Sequence, residues 1–253
     1  MEYCGRNYCG WQRQKGQPSV QEALEKSISK VANEPVTVIT AGRTDTGVHG
    51  TGQTIHFDSL ANRSNYEWLR GINTFLPEDI AVTWIQPVSE LFHARFSAQQ
   101  RSYRYIILNR RVNPACFNGL VSWYALPLAE DKMAKASQCL LGRHDFSSFR
   151  AAGCQSKQPV REVSELVIER QGEWVYLDIT ADGFLHHMVR NIVGVLVSVG
   201  TGKNPVEWCE QVLQLKDRTK GGITSVAEGL YFTAVNYGPD FDLPTPPPKP
   251  RFW

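Results

Sequence analysis

The 253-residue chain predicts an α+β fold: two similar β-α-β-β-α-β halves forming a central, mostly antiparallel sheet with helices on one face. An active-site cleft is expected between the halves. Three observations carry this expectation. The order strand, helix, strand, strand, helix, strand can be read twice along the chain, with no obvious repeat of the sequence itself. Two Ser-x-x-Glu boxes, Ser19 to Glu22 and Ser64 to Glu67, each open a helical segment. Two runs, 162–170 and 174–180, face each other across Gln171-Gly172 as a hairpin.

In the first half, expected to cover 1–92, the residues before Gly5 read as the remnant of a strand. The helix opened by Ser19 carries Val20, Leu24, Ile28 and Val31 on one face and ends near Asn33-Glu34-Pro35. Strands follow at 36–40 and 53–57, then a helix from Ser64 to about Phe75 and a strand over 80–85. In the second half, expected to cover 93–253, Tyr103 to Leu108 alternates as a strand and 129–141 reads as a helix. The hairpin, apolar helices at 184–199 and 206–215, and a strand at 230–236 complete it. The tail Leu243-Pro-Thr-Pro-Pro-Pro-Lys-Pro resists helix and sheet and is expected to be an extended strap or a loose end.

Hydrophobic residues at 42% and charged residues at 21% are ordinary for a globular protein. No apolar run approaches the ~18 residues that would span a bilayer. The start lacks a basic segment followed by an apolar one, so a cytoplasmic protein is the expectation. The six cysteines form no C-x-x-C pair, which argues against a zinc site or a disulfide framework. The net charge of +2 hides an asymmetry. Between Arg95 and Arg161 eleven Lys/Arg face three Asp/Glu, with Tyr103, Tyr105, Phe117, Trp123 and Phe149 interleaved. That mixture suits an anionic, stacking partner such as RNA, or else a solvated surface with scattered arginines.

Gly42-Arg43-Thr44-Asp45-Thr46-Gly47-Val48-His49 sets one carboxylate in a glycine-bounded turn between two strands. Glycines there permit unusual backbone angles and close approach of a ligand. Asp45 could be a nucleophile, a general base, a metal ligand or a turn-former. Asp45-Thr46-Gly47 also matches the D-T-G of aspartic proteases, but that chemistry needs two carboxylates and no second D-T-G or D-S-G exists. A metal pair lacks a neighbouring carboxylate in the same way. His186 and His187 are expected on different faces of a helix, which disfavours a two-histidine metal site. Arg190, among Met188, Ile192 and Val193, must be paired if buried and could hold Asp45 ionised; the alternative is an arginine reaching solvent. Tyr103 and Tyr105 share one strand face and Arg104 the other, so the rings are core or a stacking platform.

Taken together, the motifs resemble the tRNA pseudouridine synthase A family, which converts uridines at tRNA positions 38 to 40. The resemblance runs through Gly10-Trp11-Gln12-Arg13-Gln14, Ser19-Val20-Gln21, the Gly42 to His49 loop, Phe92-His93-Ala94-Arg95-Phe96-Ser97-Ala98 and Tyr103-Arg104-Tyr105. It continues through His144-Asp145-Phe146, His187-Met188-Val189-Arg190-Asn191 and Glu228-Gly229-Leu230-Tyr231. It implies that Asp45 is the nucleophile, that Tyr103 stacks on the base and takes the C5 proton, and that Arg190 pairs with Asp45. Arg43 would enter the stem as the base leaves. Gln12, Arg13, His49, Arg95, Arg104 and Arg150 are the further residues expected to meet RNA. The resemblance also implies a homodimer, a tRNA partner, no cofactor and no metal. It departs at the start, where Met1-Glu2-Tyr3-Cys4-Gly5 stands for a longer strand ending E-Y-D-G, so an exposed strand edge is expected. Thr46 replaces a usual alanine. The alternative function is a catalytically impaired tRNA-binding protein of the same fold.

Overall fold

A computed structural model describes residues 1–252. The first elements are β1 (Glu2–Tyr3), α1 (Val20–Ala32), β2 (Ile39–Thr40), β3 (His49–Gly50), β4 (Ile55–His56), α2 (Asn65–Phe75) and β5 (Ile80–Ala81). There follow β6 (Gln100–Asn109), β7 (Ser122–Tyr124), α3 (Glu130–Ser137), β8 (Gly142–Asp145), β9 (Val160–Gln171) and β10 (Trp174–Ala181). The last are α4 (Met188–Gly200), α5 (Trp208–Leu215) and β11 (Leu230–Asn236). Antiparallel pairs join β1 with β3, β1 with β5, β2 with β4, β8 with β9 and β9 with β10, and parallel pairs join β3 with β11 and β6 with β7. The mixed helix-and-sheet class and the antiparallel bias are as expected.

Two compact units emerge: Met1–Arg101 with Tyr231–Pro250, and Ser102–Leu230 with Arg251 and Phe252. They differ from the expected 1–92 and 93–253, because β11 joins β3 in parallel register, Tyr231 opposite His49 and Phe232 opposite Gly50. The two units do not repeat one element order. Strands β3, β7 and β8 lie outside the pattern read from the sequence.

In the first unit, Ser19 accepts from Glu22 N at 3.3 Å, while the Glu22 carboxylate pairs with Lys26 at 2.8 Å. Only half of that expected capping box forms. The second forms completely: Ser64 N donates to Glu67 Oε2 at 2.8 Å and Glu67 N to Ser64 Oγ at 3.3 Å. Leu24 and Ile28 of α1, Trp68 and Ile72 of α2, and Tyr3 and Trp11 share one buried core. Each such side chain contributes roughly 1.5–3 kcal/mol. Strand β1 is hydrogen-bonded on both sides, to β3 and to β5, so the expected exposed edge is not at this strand. The expected strands 36–40 and 53–57 shrink to two-residue β2 and β4, which pair with each other. His49 and Gly50 are engaged by β1 and β11, so the chain must cross between ladders, leaving few residues for either. Tail residues 243–247 line a cavity of about 180 Å³ in this unit, with Gln53, Trp84 and Tyr237.

In the second unit the strand order is β6-β10-β9-β8, with β7 beside β6. The expected hairpin forms, turning at Gly172 with φ +60°. Strand β6 is buried over Tyr103–Leu108, so both faces are covered. Phe252 packs on β10: its ring stacks on Trp174 at 5.5 Å and its carbonyl accepts from Tyr176 Oη at 3.1 Å. Helix α4 starts at Met188 rather than 184, because His187 adopts φ +60°, which a right-handed helix cannot contain. Gly194 of α4 admits no side chain, since a Cβ there would lie 1.8 Å from Ile223 O. No helix among the described residues is long and apolar enough to cross a membrane.

Candidate active site

The Asp45 loop is fastened residue by residue. Ala41 N donates to Thr54 O at 2.9 Å, the last rung before the chain leaves the β2–β4 ladder. Gly42 O accepts from Gln53 Nε2 at 2.8 Å and from Thr40 Oγ1 at 3.2 Å. Thr44 is buried; its carbonyl accepts from Trp11 N at 3.0 Å and its hydroxyl bonds Tyr3 Oη at 2.9 Å. Burial pushes the Tyr3 phenol up to about 12, against the pull of Thr44 and Gln53, so it stays neutral in that bond. Asp45 O accepts from Val48 N at 3.1 Å, closing a turn whose third residue, Gly47, has φ +79°. Gly10, at φ +87°, lies flat against this turn: a Cβ would come within 2.8 Å of Thr44 O. The result is a half-buried Asp45 flanked by exposed Arg43 and Thr46, on a backbone with little freedom. Such a carboxylate meets a ligand without paying to order itself.

Arg101 was not anticipated in this role. Its guanidinium donates to Ala41 O at 3.2 Å, to Ala98 O at 3.0 Å and to Arg95 O at 2.7 Å. It thereby ties the Phe92 to Ala98 segment to the residue that opens the Asp45 loop. The sequence signal was weak, since one arginine in a basic stretch resembles the next.

The other expected residues separate by burial. Gln12, Arg13, Arg43 and Arg95 are exposed, Arg13 with an ion pair to Glu25 at 2.9 Å. His49 is 1% exposed; its Nδ1 accepts from Gly5 N at 3.1 Å and its ring stacks on Tyr231 at 4.6 Å. Arg104, 2% exposed, holds Asp178 through Nε to Oδ1 at 2.8 Å and Nη2 to Oδ2 at 2.7 Å. These two are interior groups, in contrast to the RNA contact expected of them. Arg150, half-buried, donates to Cys154 O at 2.8 Å and Ser156 O at 2.6 Å and so shapes its own loop.

In the second unit Tyr103 is 8% exposed, with Phe184 edge-on at 5.0 Å. Arg190, on the first turn of α4, is half-buried; its Nε donates to Ser225 O at 2.8 Å and its carbonyl accepts from Ser225 N at 3.1 Å. That segment is itself fixed by Arg218, which donates to Asn191 Oδ1 at 2.9 Å and Thr224 Oγ1 at 2.8 Å. Gly221 and Gly222 were its only sequence signal. His186 and His187 precede the helix with ring centroids 4.0 Å apart. The expected separation onto two helix faces therefore does not hold.

Comparison with known proteins gives a consistent result. A family model described as tRNA pseudouridine synthase matches residues 1–97 and 136–238. A tRNA pseudouridine synthase A of Nitrosococcus oceani is 54% identical over 244 residues, covering 96% of this chain and 94% of that protein. One of Escherichia fergusonii is 53% identical over 252 residues, covering 100% of this chain and 93% of its own. One of Shigella boydii serotype 4 is 52% identical over the same length and shares.

Proposed function

The chain belongs to the tRNA pseudouridine synthase family, and from that premise we propose that it isomerises uridines at positions 38 to 40 of the tRNA anticodon stem-loop to pseudouridine, with Asp45 as nucleophile. The reaction breaks the C1′–N1 bond, turns the base and joins C1′ to C5, with the proton lost from C5 balanced by one gained at N1. Bonds and electrons balance within one nucleotide, so the work required is nucleophilic attack, proton transfer and positioning. Asp45 attacks the target nucleotide as a carboxylate and is released as a carboxylate before the product leaves, and Arg190 is the cation that favours its ionised form. Tyr103 stacks on the base and takes the C5 proton. The base must leave its stack at a cost of about a few kcal/mol, which Arg43 entering the stem offsets. Gln12, Arg13 and Arg95 meet the RNA from exposed positions. The reading includes a cytoplasmic homodimer that works without a resident cofactor; the free state of all six cysteines suits a reducing compartment.

The observation that carries the reading is the Asp45 turn, a half-buried carboxylate on a backbone fastened by Tyr3, Trp11 and Gln53. The test is to incubate the protein with unmodified tRNA and map pseudouridine by carbodiimide primer stops. Stops at positions 38 to 40 are expected from the native chain and none from Asp45→Asn, which keeps tRNA affinity within a few-fold. A folded native chain that binds tRNA without producing stops would leave the impaired-binder reading in its place. Turnover by Asp45→Asn would remove that carboxylate from the chemistry.

A further inference from the structure

Phe96 is 77% exposed, and it is the centre of a built feature. Its ring stacks on His93 at 4.3 Å with an interplanar angle of 24°, and the Arg95 guanidinium lies 5.5 Å from its centroid. The hook that presents it is locked from several sides. His93 Nδ1 accepts from Arg95 N at 3.2 Å and Phe96 N at 3.1 Å, and Ser97 N donates to His93 O at 2.9 Å. Ala94 N donates to His56 Nδ1 at 3.0 Å, and Tyr237 Oη donates to Ala94 O at 2.8 Å. His56 meets the His93 ring edge-on at 4.9 Å. Arg101 then bonds both Arg95 O and Ala41 O, so the hook and the Asp45 loop share one clamp.

Resting on the proposed tRNA substrate, we infer that the exposed ring of Phe96, stacked on His93 and with the Arg95 guanidinium over it at 5.5 Å, is a stacking site for an unpaired nucleobase near the target nucleotide. An aromatic face accepts any base, and a cation beside it meets the accompanying phosphate. The ring is already ordered, so little freedom is lost on binding. Arg101 holds the platform in register with the Asp45 loop, and the stacked nucleotide fixes where the RNA lies as the target base swings out. Phe96 is a binding residue, separate from the groups that touch the reacting atoms.

The experiment measures tRNA Kd, KM and the saturating rate for the native protein, F96A, F96L and F96W, with melting temperature and molar mass in solution for each. F96A and F96L should raise KM and Kd roughly 5- to 100-fold, the range of one lost base stack, while the saturating rate stays within about two-fold. F96W should keep native affinity. Native affinity in F96L would make the contact merely apolar and overturn the inference. So would a loss confined to the saturating rate, or a change in molar mass with tRNA affinity intact, which would place a second copy of the chain on Phe96. A native protein that neither binds nor modifies tRNA would overturn the functional reading itself, and this one with it.

Discussion

At the scale of single residues, His56 shows how a half-buried ring carries a pH dependence. Burial holds its imidazole below the usual histidine range, with the neighbouring His93 adding to the effect and Asp58 opposing it. The folded state therefore prefers neutral His56, whose Nδ1 accepts from Ala94 N. In the unfolded chain the ring takes a proton near its ordinary value of about 6.5. Between that value and the lower folded one, the unfolded state binds more protons, so stability falls as pH falls through that window. His56→Asn retains an acceptor for Ala94 N and does not titrate. Melting curves from about pH 7.5 to about pH 5 should fall more steeply for the native chain than for this variant. Parallel curves would mean that His56 does not contribute. The residues of the Asp45 loop were legible in the sequence because glycine positions and a lone carboxylate are local signals. The buried place of His49 was not, because it depends on Tyr231, far along the chain.

At the scale of elements, the face alternation of β6 was readable, but what lay opposite each face was not. Arg104 points away from Tyr103 as expected, yet it meets Asp178 of β10 in a buried, two-bond pair, with Tyr176 beneath at 4.8 Å. Asp178→Asn removes the carboxylate charge that faces the guanidinium and should cost about 3–5 kcal/mol, read from chemical denaturation. The paired replacement R104M with D178L should return close to native stability, since an apolar pair avoids the desolvation of two ions. Equal losses in both variants would show that packing, not the uncompensated charge, sets the cost. The same limit explains α4. Its apolar run predicts a helix from 184, but the positive φ of His187 delays its start to Met188.

At the scale of the molecule, the basic middle of the chain holds two kinds of cation. Arg101, Arg150 and Arg161 donate to backbone carbonyls and Arg104 is buried, whereas Arg95, Arg111, Arg143 and Lys157 are exposed. The exposed set is free of the desolvation cost that an interior cation would meet on turning to a phosphate. Affinity for tRNA should fall linearly with log salt, and replacing Arg143 or Lys157 by alanine should flatten that line by up to about 0.7–0.9 each. The R104M with D178L pair should leave the slope unchanged. A shallower slope in that pair would place Arg104 on the RNA.

The sequence by itself determined the glycine-bounded turn that carries Asp45, where both long helices of the first unit begin, and where the β9–β10 hairpin turns. Caps, glycine positions and alternation act over a few residues, so they are written locally. Only the tertiary structure decided that β3 lies between β1 and β11, that Arg101 clamps Phe96 and Asp45 segments together, and that Arg104 is interior. Each of these depends on a partner tens of residues away. An alternating strand or a stretch of arginines states that a partner is needed without stating which one.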